Sequence, residues 1–200
     1  MFNPIKPLAA AALMALAVPA AAQEAADESA ANADEILDMG QEVAEEGPKP
    51  GTRYSREKHG DWDMACVKTE AETDPCSMLQ MLHGPDGTPM AEVSMFRIDQ
   101  AGGQAVAGAT VVVPLETLLP QGVTIAIDGA PGKRYNFTFC SQVGCVAQIG
   151  ITQGDVDAMK QGKEATVTIR PAPAPDQRID LKLSLNGFTA AYDAVDVVKQ

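Results

Sequence analysis

The four cysteines are the first residues whose type and spacing could do chemistry. Cys66 and Cys76 stand ten positions apart, and Cys140 and Cys145 five. A structural zinc site repeats a C-x₂₋₄-C spacing, which the first pair lacks, and a thiol–disulfide catalyst uses C-x-x-C, which neither pair provides. In an oxidising compartment the same spacing reads as two local disulfides, Cys66–Cys76 and Cys140–Cys145, each closing a hairpin loop. Acid–base chemistry rests on two histidines, His59 and His83. A Ser-His-Asp triad would have to use one of them. The chain contains no G-x-S-x-G, H-E-x-x-H or G-x-x-x-x-G-K-[ST] motif. Asp61 and Asp63 share a strand face by parity, and a carboxylate pair is the equipment of a glycosidase. With 27 Asp and Glu in the chain, such a pair arises by chance. Met78, Met81, His83 and Met90 offer thioether and imidazole ligands of the kind copper takes. The odd interval between Met78 and Met81 sends them to opposite faces of a strand, and Met is also an ordinary core filler. No catalytic residue, metal or cofactor is expected from these patterns.

The elements that position these residues are mostly strands. From His59 onward, apolar and polar residues alternate. Trp62, Met64 and Cys66 alternate with Asp61, Asp63 and Ala65, and Ile179, Leu181, Leu183 and Leu185 with Asp180, Lys182, Ser184 and Asn186. Nine strands are expected, over 62–66, 77–82, 91–98, 105–113, 123–127, 134–140, 145–151, 164–170 and 179–185. Gly84-Pro85-Asp86-Gly87 and Asp128-Gly129-Ala130-Pro131-Gly132 supply turns, and the Pro-Ala-Pro-Ala-Pro run at 171–175 an extended loop. A helix is expected over 154–161, capped near Thr152 and stopped at Gly162. Asn136-Phe137-Thr138 matches a glycosylation acceptor but falls inside an expected strand. The fold class is therefore mainly all-β: an antiparallel sandwich or partly closed barrel with one or two short helices.

Residues 1–22 read as a secretory leader. Lys6 precedes an 11-residue apolar run, Leu8 to Val18, too short to cross a bilayer as a mature helix. Three alanines follow, placing the cut between Ala22 and Gln23. No later stretch is long and apolar enough to span a membrane as a helix. The expected location is a periplasm or the outside of the cell. Removing the leader takes away Lys6 and shifts the net charge from −12 to −13. Such a surface repels phosphate backbones, which disfavours nucleic acid as a partner. Residues 23–58 are rich in acids and alanine and hold no aromatic before Tyr54. They read as a solvated, disordered tether, with a short helix over 33–46 and an acidic interaction tail as the alternative role. Residues 59–200 form the β domain.

Three stretches, in order and at their gaps, resemble the invasion-associated locus B family of bacterial exported proteins. The first is Gly60-Asp61-Trp62 followed by Cys66 and Cys76. The second is Ile127-Asp128-Gly129 leading to Phe139-Cys140 and Cys145. The third is Leu183-Ser184-Leu185-Asn186-Gly187-Phe188, continuing through Thr189, Ala190 and Ala191. Together they span 59–195. The family often has an aromatic before Gly-Asp-Trp, where this chain has His59. The resemblance implies a sandwich-like exported domain, linked in some members to host-cell invasion, and brings no catalytic residues with it. The sequence thus points to a non-enzymatic domain that binds a protein or envelope component, leaving its identity and the oligomeric state open. An envelope hydrolase using surface carboxylates and a periplasmic copper-binding module are the alternatives.

Overall fold

The structure, a computed structural model, describes residues 40–42, 47–99 and 103–198. The leader, its cleavage point at Ala22 and Gln23, and nearly all of the helix expected over 33–46 lie outside the described residues. Residues 46–200 form one compact unit. Its elements run β1 (Arg53–His59), β2 (Trp62–Val67), β3 (Cys76–His83), β4 (Pro89–Ile98), β5 (Ala105–Val113), a single 3₁₀ turn (Leu119–Gln121), β6 (Val123–Ile127) and β7 (Lys133–Tyr135). There follow β8 (Phe139–Ser141), β9 (Gly144–Thr152), α1 (Gln153–Gln161), β10 (Glu164–Ile169), β11 (Ile179–Ser184), α2 (Phe188–Ala194) and β12 (Val197–Val198).

These strands build two sheets. The larger has the order β1-β2-β3-β4-β5-β9-β8, with β12 added in parallel beside β4. The smaller has the order β11-β10-β6-β7. The ladders within each path are antiparallel, as short hairpin connections require. The period-2 pattern supplies the facing surfaces. Cys76, Met78, Gln80 and Leu82 point inward along β3, and Ala165, Val167 and Ile169 along β10. Residues of both sheets join one hydrophobic cluster, each buried aliphatic side chain contributing about 1.5–3 kcal/mol. The sheets stay two layers and do not close into a barrel.

The helices finish the body. Thr152 and Asp155 cap α1 reciprocally: the Thr152 hydroxyl accepts from the Asp155 N–H, and the Asp155 carboxylate from the Thr152 N–H. Val156 and Met159 face the core. α2 is short, starts at Gly187 without a side-chain cap, and buries Phe188, Ala191 and Tyr192.

Two expectations change. The tether does not reach residue 58, because β1 begins at Arg53 and pairs with β2 from Arg53↔Val67 to His59↔Trp62. β1 is an edge strand of charged residues with a bulge between Ser55 and Glu57, so it shows almost no apolar alternation. The strand expected over 134–140 is two short strands, β7 in the small sheet and β8 in the large. Asn136-Phe137-Thr138 lies in the crossing between them, not in a strand.

Candidate functional site

The motif residues converge where the β1–β2 turn meets the end of β11. Trp62 is fully buried at the start of β2, and its indole N–H donates to the Ser184 carbonyl at 3.0 Å. Gln80, an inward residue of β3 only 8% exposed, holds the same residue with both ends of its amide. Its Nε2 donates to the Ser184 carbonyl at 3.1 Å, and its Oε1 accepts the Ser184 N–H at 2.7 Å. A side chain thereby imitates one rung of a ladder and joins the two sheets, leaving no buried amide group unpaired. The Asp61 N–H donates to the Asn186 carbonyl at 3.2 Å, while its carboxylate accepts from the Ser184 hydroxyl and the Asn186 amide. Gly60 and Gly187 have φ of +58° and +83°. A Cβ on Gly187 would sit 2.1 Å from the His59 carbonyl oxygen, and one on Gly60 2.6 Å from that of Asn186. Only glycine fits either position. Phe188 packs edge-on to Trp62 with centroids 5.6 Å apart and stacks on Tyr192 at 5.7 Å. Leu185 is buried beside them.

A groove of about 720 Å³ opens beside this corner, lined among others by Lys58, Asp61, Asp63, Met81, His83 and Lys182. Its carboxylates already have partners. Asp61, which sits in the turn and not in a strand, is held by Ser184 and Asn186, and Asp63 accepts from the Ser55 hydroxyl. His83 is the last residue of β3 and hydrogen-bonds to no serine or carboxylate among the described residues. The His59 Nε2 is buried 3.6 Å from the Glu57 carboxylate, too far for a hydrogen bond. A histidine base oriented on a nucleophile needs hydrogen-bond contact, and among the described residues neither His59 nor His83 has one. Met78 is fully buried while Met81 is 39% exposed, so the two thioethers do lie on opposite faces of β3.

Both disulfides form as the spacing predicts, across the register pairs Cys66↔Cys76 and Cys140↔Cys145. The first closes a loop organised around Asp74, whose side chain is only 9% exposed. Its carboxylate accepts from the Thr69 N–H at 2.7 Å, the Tyr54 hydroxyl at 2.8 Å and Lys68 at 3.2 Å. These donors, the Thr69 N–H foremost, hold the carboxyl far below the usual carboxylate range. Asp128, in the second motif, adopts φ of +46° and accepts the N–H groups of Lys163 and Glu164, which also lowers its pKa. It ties the β6–β7 turn to the start of β10.

The family comparison agrees with this arrangement: the model of the invasion associated locus B (IalB) protein family matches residues 62–196. The chain belongs to the IalB family. Invasion protein B homologs from Brucella abortus strain 2308 and from biovar 1 strain 9-941 are each 28% identical to it over 148 residues, covering 74% of this chain and 83% of theirs. The crystal structure of invasion associated protein b from Bartonella henselae matches with a TM-score of 0.56 at 24% identity, over 68% of this chain and 90% of that one. That likeness supports the IalB fold. Gly60, Asp61 and Trp62 of the first stretch and Ser184, Asn186, Gly187 and Phe188 of the third lie at the Trp62 corner. Gln80 joins them there, a residue whose inward parity within β3 was the one signal available in the sequence.

Proposed function

We propose that this chain is an exported, non-enzymatic IalB domain that binds a protein or envelope component. The observation that carries the reading is the outer face of the large sheet. Met81, Glu92 and Val112 stand in one row across β3, β4 and β5. With Met90 and Val143 they line a groove of about 610 Å³. Met81 is 39% and Val143 81% exposed, and Arg53 and Glu92 form a two-pronged ion pair at 2.9 Å within the lining. An apolar strip with a charged border is the makeup of a protein-binding patch. The carboxylates of the neighbouring groove, Asp61 and Asp63, are engaged in holding the fold, which supports binding over a chemical step. Export is part of the proposal. It draws on the leader pattern, the two disulfides and the lack of any helix among the described residues long and apolar enough to cross a membrane. The Brucella relatives are named for invasion, and host-cell contact is one setting for such binding in pathogenic relatives.

The test is complementation of a deletion strain. Met81→Lys with Val143→Lys should abolish the phenotype while secretion and melting temperature stay normal. His83→Ala and Asp63→Asn should leave most of it. Complete loss from His83→Ala, with fold and export intact, would favour a chemical step.

A further inference from the structure

The outer face of the small sheet gathers positive charge in an otherwise acidic chain. One row crosses all four strands: Arg134 on β7 pairs with Thr124 on β6, Thr124 with Thr168 on β10, and Thr168 with Asp180 on β11. Arg170 and Arg178 border the same groove, which has a volume of about 490 Å³. Three of the chain's six arginines thus face one surface while the chain as a whole carries −12. Among the described residues, Asp180 is the groove's one carboxylate, and it is engaged by Arg178 at 2.9 Å and by the Thr168 hydroxyl. Arg170 donates to the Pro175 carbonyl at 3.2 Å, leaving further N–H groups, and Arg134 has no partner among the described residues. The floor is made of small and hydroxyl-bearing residues, Thr124, Ala126, Thr166 and Thr168.

We propose that this groove binds a phosphorylated glycan of the cell envelope. Guanidinium forks match phosphate oxygens two at a time, and threonine hydroxyls match sugar hydroxyls. The bulk charge of the chain repels anions, so any attraction must come from this local cluster. A flat floor of short side chains leaves room for a sugar ring. An acidic peptide is the poorer fit, because extended peptides join a sheet by adding to its edge, and this groove lies on the face. The groove lies on the other sheet from the Met81 strip, so the inference goes beyond the binding reading given above.

Isothermal titration of the full chain at low salt tests it, with four probes: a disaccharide phosphorylated on both sugars, the same disaccharide without phosphate, inorganic phosphate, and poly-glutamate. The phosphorylated disaccharide should bind saturably, and the other three at least about tenfold more weakly. Arg134→Gln and Arg170→Gln should each weaken it about tenfold, as loss of a charged hydrogen bond does, while Arg56→Gln on the large sheet leaves it unchanged. Equal binding of the unphosphorylated sugar, of phosphate alone or of poly-glutamate would overturn the assignment. So would indifference to Arg134 and Arg170 or the absence of saturable binding. The two proposals fail separately. A phenotype lost with Met81→Lys and Val143→Lys but untouched by the arginine variants and by glycan removal would keep the binding reading and discard the groove.

Discussion

The Trp62 corner and the arginine face of the small sheet belong to the same two-layer body but use their polar groups in opposite ways. At the corner, the described polar groups turn inward: Trp62, Gln80, Asp61, Ser184 and Asn186 bond to one another, and two glycines let the chains touch. On the arginine face, Arg134 is unpartnered and Arg178 is held by a single exposed carboxylate. Asp61, Trp62, Ser184 and Asn186, which carry part of the family resemblance, are therefore residues that hold the sheets together. The three arginines of the other face belong to none of the motif stretches. A family signature of this kind locates the fold more surely than the action.

The largest effect should come from breaking the corner. Trp62→Ala removes a fully buried ring, its bond to Ser184 and its contact with Phe188. It should cost about 3–5 kcal/mol in denaturant unfolding, as large core truncations do. A loss under about 1 kcal/mol would mean the corner is not part of the core. Next come the disulfides. Replacing Cys66 and Cys76 together by serine should cost about 2–3 kcal/mol through a freer unfolded chain, and replacing Cys140 and Cys145 somewhat less because their loop is shorter. Gly187→Ala should cost about 1–3 kcal/mol, since a Cβ there meets the His59 carbonyl. Gly87→Ala is its control: φ is +81° there too, but nothing lies within 4 Å of the added carbon, so the loss should be smaller.

The core strands were legible because each buries one face and alternates accordingly; β3, β10 and β11 keep that pattern closely. β1 was not legible. A mostly exposed edge strand needs no apolar alternation, and its run of polar and charged residues continues that of the segment before it. α2 was missed because it has seven residues and begins at a glycine with no capping side chain, leaving only Phe188, Ala191, Tyr192 and Val195 at helical spacing. The hairpin disulfides could be read from local spacing alone. The corner joins residues more than 100 positions apart, and the arginine row draws on four strands, so neither is written in any one stretch of sequence.

Acid should sharpen the contrast between inward-turned and open carboxylates. Asp74 is held by Thr69, Tyr54 and Lys68, with its folded pKa depressed from an ordinary 3.8. A depressed carboxylate adds stability that is complete above its unfolded pKa and lost as pH falls toward the folded one. Asp74→Asn should therefore lower the melting temperature at neutral pH and flatten its decline below about pH 4. An unchanged acid profile would show that the Asp74 network is not coupled to unfolding.

The smallest effect expected is the most informative one for the arginine face. Arg134 is exposed, with no hydrogen bond or ion pair among the described residues. Arg134→Gln therefore removes no packed surface and leaves no buried group unpaired, so stability should stay within about 0.5 kcal/mol of the parent. Arg178→Gln breaks an exposed pair with Asp180, and exposed pairs contribute about 0–1 kcal/mol. The Asp180 carboxylate would still accept from Thr168. If Arg134→Gln instead destabilised the fold by about 2 kcal/mol, the residue would belong with Trp62 as part of the frame. The groove would then be a structural seam, and a loss of glycan binding in that variant would say nothing of contact. A stable Arg134→Gln chain whose melting curve overlays the parent's is what makes the arginine face a surface kept for something outside the molecule.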